Sequence, residues 1–157
     1  MGQQPAPDPP LARLLGLSLG AITGRLHERL IAAGFSDHRM SYNAVMPHIP
    51  PAGITLAELA RRAGITKQAM SELVQDLEAK GYVSRRADPA DKRLKIIEFT
   101  ARGWQAVETA LAAFADIEQE LQAALGRPRL ADLRQMLEQI IDTIPGTGAG
   151  TDSRPVR

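Results

Sequence analysis

Two neighbouring segments in the middle of the chain carry residues that could bind a polyanion. The first, residues 84–99, reads SRRADPADKRLKIIEF and places basic side chains around a proline-bearing turn. Those side chains are Arg85, Arg86, Lys92, Arg93 and Lys95. Apolar residues on both sides predict strands over 82–86 and 94–99, joined as a β-hairpin, in which Asp88 before Pro89 bonds the turn backbone. Because guanidinium and ammonium groups attract phosphates, the hairpin is a candidate contact for nucleic acid.

The second segment, residues 66–80, predicts a helix with a polar outer face near its N-terminus. That face carries mostly uncharged hydrogen-bonding groups, namely Thr66, Lys67, Gln68, Ser71, Glu72 and Gln75. Such groups can read the donor and acceptor pattern of a DNA major groove, whereas a solvated helix face usually carries Glu/Lys pairs. Amphipathic helices joined by glycine are also common in bundles, so this segment alone leaves both interpretations open.

A helix-turn-helix would position that polar face. Thr55 and Glu58 predict a capping box at the start of the preceding helix, and Gly64 can adopt positive φ in the turn. Ala60 is small where the two helices would cross. The apolar residues expected between them are Ile65, Met70, Leu73 and Leu77.

A β-hairpin directly after such a helix is typical of a wing, whose basic tip can reach the adjacent minor groove. Asp91 is spaced to orient the guanidinium of Arg93 near that tip. The remaining basic residues of the hairpin are expected to contact phosphates or to lie solvated on the strands. Lys67 and Arg86 in particular are expected to contribute to the salt dependence of binding. A charged surface hairpin without a partner is the alternative.

The rest of the chain predicts four more helices. The first spans residues 11–33, and the second spans about 36–47 with Ser36 or Asp37 as its cap. The fifth begins at Thr100 and ends near residue 125, and the sixth carries a heptad-like apolar seam up to residue 144. Glycines at 16, 20 and 24 indicate either close packing against a partner helix or a slightly weak first helix. The predicted fold class is mainly α with a small β-hairpin wing, in the order four helices, hairpin, two helices.

Composition limits the class of protein. The 157 residues include no cysteine, so disulfides, thiolate metal sites and cysteine redox switches are excluded. The formal net charge is +1, yet residues 55–103 hold ten Lys/Arg and seven Asp/Glu, a local excess that suits a polyanionic partner. No long apolar run or signal peptide is present, which predicts a cytoplasmic protein without membrane contact. No catalytic constellation or phosphate-cradling glycine loop stands out, which predicts that the chain is not an enzyme and has no cofactor.

Together these motifs resemble the MarR (multiple antibiotic resistance regulator) family of transcriptional regulators. The resemblance is strongest over residues 54–103, where the helix-turn-helix is followed by the wing signature Asp88-Pro89-x-Asp91-x-Arg93. It implies one domain over 11–144, with a winged helix-turn-helix core at about 36–103 and dimerisation helices at 11–33 and 104–144. The tails 1–10 and 145–157 are predicted to be disordered.

The resemblance also implies partners. It predicts a homodimer on a pseudo-palindromic operator in double-stranded DNA, with the helix at 66–80 in the major groove and Arg93 in the minor groove. It further predicts a repressor that a small ligand, often an anionic aromatic, releases. The candidate pocket residues are Leu15, Ser18, Ile22, Tyr42, Met46 and His48, although ordinary core residues would show the same pattern.

Two other functions remain open at this stage. A winged helix can serve as a protein-interaction module without binding DNA. Alternatively, His27, His38 and His48 could indicate a metal-responsive regulator, although carboxylates near them are few and no metal site is assigned.

Overall fold

The computed structural model describes residues 8–144. The predicted tails fall almost entirely outside these residues, because only residues 8–10 of the first tail are included. The described chain forms a mainly helical fold with one small antiparallel sheet. None of its helices within residues 8–144 combines the length and the apolar character needed to cross a bilayer.

Helix α1 spans Leu11–Ala32, and the segment that follows departs from the prediction. Instead of an α-helix over 36–47, the chain forms two short 3₁₀ helices, Met40–Ala44 and Met46–His48. Pro47 lacks an N–H group and disfavours the α conformation of the residue before it, which breaks the helix there. The predicted cap Asp37 has another role, because its carboxylate accepts a hydrogen bond from the Tyr82 hydroxyl at 2.7 Å.

The helix-turn-helix consists of α2, Leu56–Ala63, and α3, Lys67–Ala79. Thr55 caps α2 by accepting a hydrogen bond from the Glu58 N–H at 3.3 Å. The capping box is only half formed, because the Glu58 carboxylate pairs with Arg61 and Arg62 instead of returning to Thr55. Gly64 lies between the helices with φ of +66°, as the turn requires.

The sheet has three strands rather than the two of the predicted hairpin. Strand β1, Ile54–Thr55, adds to the outer side of β3, Lys95–Phe99, which also pairs with β2, Val83–Ala87. Both pairings are antiparallel, and they place Ile54 and Arg85 on either side of Ile97. The short β1 ties the entrance of the helix-turn-helix to the base of the wing.

Two long helices complete the chain. Helix α4 spans Ala101–Leu125 and lies against α1, and α5 spans Arg127–Thr143. Ion pairs join α1 to α4, including the pair of Arg29 on α1 with Asp116 on α4. The glycines of α1 have no close neighbour, since a methyl group added at residue 16, 20 or 24 would meet no atom of the described chain within 4 Å. These glycines therefore pack against no other helix within residues 8–144.

Closely packed backbone connects three elements: α3, which we call the recognition segment, the hairpin of β2 and β3, which we call the wing, and α4. The Thr100 hydroxyl caps α4 by accepting a hydrogen bond from the Gly103 N–H at 3.1 Å, and it donates to the Gly81 carbonyl at 2.5 Å. The Tyr82 carbonyl lies so close to α4 that a Cβ on Gly103 would stand 2.0 Å from its oxygen. Glycine at 103 is therefore required by contact with the backbone.

The core holds one buried polar residue among those described, His38, which is 5% exposed. Its ring meets the edges of Tyr42 and Tyr82 at centroid distances of 5.3 and 6.4 Å. Its Nδ1 lies 3.4 Å from Nδ1 of His27. Burial, followed by the charge of His27, lowers the pKa of His38 to about 4.

Gly103→Ala tests the junction. We expect a loss of about 1–3 kcal/mol in the free energy of unfolding, because the Tyr82 backbone must move to admit the methyl group and this outweighs the gain in helix propensity. Urea unfolding measures the loss. Gln105→Ala, an exposed substitution two residues further along α4, is the matched control and should change stability by less than about 0.5 kcal/mol. Equal stability of the two variants would contradict the close approach.

Acid should destabilise the protein through His38. Its folded pKa of about 4 lies below the ordinary 6.5, so the unfolded chain binds the proton first. Stability is therefore full above pH 6.5 and is lost as the pH falls towards 4, by about 2 kcal/mol between about pH 7.5 and 5. Urea unfolding of the natural chain and of His38→Gln at both pH values measures this. The prediction fails if the variant keeps the same pH dependence.

Candidate nucleic-acid interface

The predicted recognition face of α3 points away from the core. Met70, Val74 and Leu77 are fully buried on the opposite side of the helix. Of the predicted polar residues, Ser71 is half-buried and the other five are exposed, namely Thr66, Lys67, Gln68, Glu72 and Gln75. The helix therefore presents one continuous polar surface of the kind that can enter a major groove.

Thr66 has a structural task on that surface. Its hydroxyl caps α3 by accepting a hydrogen bond from the Ala69 N–H at 3.2 Å. The oxygen therefore accepts from the helix backbone, which leaves the hydroxyl hydrogen and the methyl group for a base edge. Lys67, one residue later, makes no ion pair with the described residues and is available to a phosphate.

Two aspartates shape the tip of the wing. Asp88 Oδ1 accepts a hydrogen bond from the Ala90 N–H at 2.8 Å, as the sequence indicates. Asp91 Oδ1 accepts one at 3.0 Å from the backbone N–H of Arg93, not from its guanidinium. The expectation that Asp91 orients the guanidinium is therefore corrected: the carboxylate fixes the main chain that carries Arg93.

The five basic residues of the wing fall into two groups. Lys92, Arg93 and Lys95 are exposed and, within residues 8–144, show no ion pair. Arg85 instead pairs with Glu78 of α3, with Nε and Oε2 3.1 Å apart. Arg86 donates to Glu98 on β3 at 2.6 Å and to the Ala52 carbonyl at 3.2 Å.

This division corrects the expectation for Arg85 and Arg86 as free phosphate contacts. Glu78 and Glu98 already neutralise them, so DNA would have to displace a carboxylate to recruit either guanidinium. The Arg85 Nε and Nη2 atoms are also buried and make no hydrogen bond within the described residues, so the approach of Nε to Glu78 is an ion pair without a hydrogen bond. The pair with Glu78 instead joins the base of the wing to the recognition helix and fixes their relative orientation.

The C-terminal end of α3 is anchored by a polar cluster under the 3₁₀ segment. The Tyr42 hydroxyl donates to Asp76 at 2.5 Å, and Lys80 Nζ donates to the same hydroxyl. Arg39 also pairs with Asp76 at 3.0 Å. The hydrogen bond from Tyr42 and the nearby cations hold the pKa of Asp76 below its usual value, so the carboxylate stays charged. Tyr42, a predicted pocket residue, thus positions the recognition helix.

A cavity of about 950 Å³ lies between α1, the 3₁₀ segment and α4. Met46 lines it, but the other predicted pocket residues, Leu15, Ser18, Ile22, Tyr42 and His48, do not. The α1 lining includes Gly16, Leu19 and Thr23, each one residue after a predicted one, so the predicted face is displaced by one residue; Gly20, Leu26 and Leu30 of α1 also line the cavity. Trp104 and Phe114 of α4 also line it and were not predicted, because nothing local marks which face of a long helix turns inward.

The three histidines do not form one site. His27 and His38 touch each other, whereas His48 stands apart beside the helix-turn-helix, where burial and then the charge of Arg62 lower its pKa. Within residues 8–144 no three His, Cys, Asp or Glu side chains are grouped as metal ligands would be.

The sequence of this chain is similar to a protein family and to several known regulators. A family model described as MarR family matches residues 45–94, the segment that holds the helix-turn-helix and the tip of the wing. A curated HTH-type transcriptional repressor of Mycobacterium tuberculosis is 34% identical over 88 residues, which cover 56% of this chain and 63% of that protein. The transcriptional regulator HosA of Escherichia coli is 26% identical over 91 residues, covering 58% and 67%. The chain thus spans less than two thirds of the mycobacterial repressor.

Solved structures share the whole fold. Wild-type MarR of Escherichia coli in its apo form has a TM-score of 0.67 at 23% identity, covering 86% of this chain and 99% of that one. The MepR–DNA complex of Staphylococcus aureus has a TM-score of 0.70 at 20% identity, covering 87% and 100%. At these identities the likeness concerns the fold. The fold, the helix-turn-helix and the wing motif agree with this family model, so the chain resembles the MarR family over the matched residues 45–94.

Proposed function

We propose that the chain is a homodimeric regulator of transcription that binds a pseudo-palindromic operator in double-stranded DNA, and that it acts as a cytoplasmic repressor released by a small ligand. One observation carries the proposal: an exposed polar helix face lies beside a wing tip whose three cations make no ion pair within residues 8–144, and an ion pair joins the two elements. Proteins of this family are generally not enzymes, and no catalysis is proposed. The name of the mycobacterial relative supports repression.

The interface has the two parts that sequence-specific binding requires. The α3 face offers amide, hydroxyl and charged groups to base edges, while Lys92, Arg93 and Lys95 offer positive charge to the backbone or the minor groove. The solved complex of MepR with DNA supports the same use of this fold.

The dimer is supported by the apolar surface that one chain leaves uncovered. Helix α5 buries no residue within the described chain. Several of its apolar residues are exposed, with Leu133 40%, Met136 52% and Ile141 60% exposed, and Ile144, directly after the helix, is 67% exposed. Leu17 and Leu19 of α1 are 62% and 63% exposed. A second copy would cover these faces and would present two recognition helices to two half-sites.

The cavity between α1 and α4 supports ligand control. Its volume of about 950 Å³ suits a small molecule. The cavity is lined by α1 and α4. It is also lined by His38, whose ring contacts Tyr42, the residue that holds the C-terminal end of α3. An occupant that changes the angle between these parts would change the spacing of the two recognition helices.

Arg93→Ala should weaken binding to the intergenic DNA beside the gene. We expect a loss of about tenfold or more in affinity, because the variant removes the only arginine of the wing that makes no ion pair within residues 8–144. An electrophoretic shift measures the affinity, and a titration with salt gives the slope. Lys67→Ala should lower that slope by about one unit if Lys67 contacts a phosphate.

Arg86→Ala is the matched control, because Arg86 stands on the same hairpin with its guanidinium held by Glu98. It should change the affinity and the salt slope less than Arg93→Ala does. Equal effects of the two variants, or an unchanged affinity for Arg93→Ala, would contradict the assigned role of the wing tip. A protein that gives no shift with this DNA would point to the protein-interaction alternative.

Leu133→Glu should separate the proposed dimer. A carboxylate in the apolar seam of α5 must be desolvated when a partner covers it, which opposes association. Sedimentation should show the natural chain at about 34 kDa, twice the 17.0 kDa of one chain, and the variant nearer one chain. Gln135→Glu adds the same charge at an exposed position outside the seam and should remain dimeric. A monomeric natural chain would reject the dimer.

A further inference from the structure

The cavity has a feature that limits what it can hold. None of the 21 described residues that line it is Asp, Glu, Lys or Arg. Its polar side-chain groups are those of Thr23, His38 and Asn43 and the indole N–H of Trp104. The Thr23 hydroxyl already donates to the Leu19 carbonyl of its own helix at 2.8 Å. A charged ligand group placed against the buried part of this lining, beside His38, would lose its hydration and gain no counter-charge, which is strongly unfavourable.

His38 does not supply the missing charge. Because the ring is buried and lies beside His27, its pKa falls to about 4 and it is neutral near pH 7. A neutral imidazole is one donor and one acceptor rather than a cation. A carboxylate in the cavity would therefore meet at most a single neutral N–H from this ring.

The tautomer of His27 determines whether Nε2 of His38 is a hydrogen-bond donor or an acceptor. The two Nδ1 atoms lie 3.4 Å apart, close enough for one to donate a proton towards the other. If His38 Nδ1 carries the hydrogen, its Nε2 is an acceptor; if His27 Nδ1 carries it, His38 Nε2–H is a donor. Nε2 of His38 makes no hydrogen bond with other residues of 8–144. When the hydrogen moves between the two Nδ1 atoms, His38 Nε2 changes between acceptor and donor. It can therefore accept from a ligand hydroxyl or donate to a ligand carbonyl.

We propose that the ligand is an uncharged molecule with a largely apolar, preferably aromatic, body and one hydroxyl or carbonyl group that hydrogen-bonds to His38 Nε2. The inference rests on the proposed ligand control and narrows it, since it excludes the anionic aromatics that the family resemblance suggests. Phe99, Trp104 and Phe114 supply the aromatic surfaces for the body. His38 then sets the specificity, with His27 as the residue that positions its protons.

Three probes of similar shape test the ligand class on the full chain: 2-naphthol, which is neutral near pH 7, 2-naphthoate, its anionic counterpart, and naphthalene, which has no polar group. Fluorescence titration at about pH 7.5 gives their dissociation constants. We expect 2-naphthol to bind at least about tenfold more tightly than 2-naphthoate, and more tightly than naphthalene. Equal or tighter binding of 2-naphthoate would overturn the inference.

Variants test the role of His38. His38→Phe should reduce 2-naphthol to the affinity of naphthalene, while naphthalene itself binds as before. His38→Gln, which keeps a donor and an acceptor, should restore part of the preference and guards against a folding defect in the phenylalanine variant. His48→Phe makes the same change at a histidine outside the cavity and should leave all three constants unchanged. A preference that survives His38→Phe would overturn the role of His38.

The same samples are assayed for the DNA shift without any probe, which separates the two proposals. DNA binding that is intact while 2-naphthol shows no preference rejects the ligand class and leaves the regulator standing. Selective 2-naphthol binding without a DNA shift supports the ligand class and rejects the proposed regulator. Failure of all three probes to bind would overturn the inference.

Discussion

The backbone at Tyr82 is the point on which the other parts of the fold depend. Its carbonyl accepts a hydrogen bond from the Thr100 N–H at 3.1 Å, so the end of the recognition segment and the start of α4 meet there. Its hydroxyl reaches Asp37, and its ring contacts Phe35, His38 and Tyr42. Burial, with the bond to Asp37, raises the pKa of this hydroxyl to about 12, so it remains a donor throughout the physiological range. The helix-turn-helix, wing and long helices are thus joined through one residue whose polar groups are all engaged.

Rigidity of the DNA-facing unit follows from paired charges rather than from apolar burial alone. Glu78 with Arg85 and Glu98 with Arg86 brace the wing from α3 and from the adjacent strand. Each pair is partly exposed and contributes little to stability by itself. What these pairs give is orientation, because a hairpin of two five-residue strands is too short to hold its tip in place through strand hydrogen bonds alone.

Local chemistry could be predicted from sequence, and distant contacts could not. The caps at Thr55, Thr66 and Thr100 and the turn at Asp88 follow from groups two or three residues apart, and the structure has all four. Asp91 was assigned the wrong acceptor role because spacing does not distinguish the N–H of Arg93 from its guanidinium. On α1, apolar residues surround much of the helix, so a displacement of one residue, or about 100°, selected the wrong face for the cavity. The partners Glu78 and Glu98 come from other elements, which no local pattern reveals.

Helix α5 buries none of its 17 residues within the described chain. The occupancy of an operator should therefore depend on the concentration of the protein in a particular way. A helix of this kind gains its stability from whatever covers it. In the proposed dimer, association and ordering of α5 become one equilibrium, so dilution favours both separation and unfolding. Occupancy of a two-half-site operator then rises more steeply than in proportion to abundance. Because the concentration of such a dimer varies with up to the square of the chain concentration, a change in synthesis would alter operator occupancy more strongly than it would for a monomer.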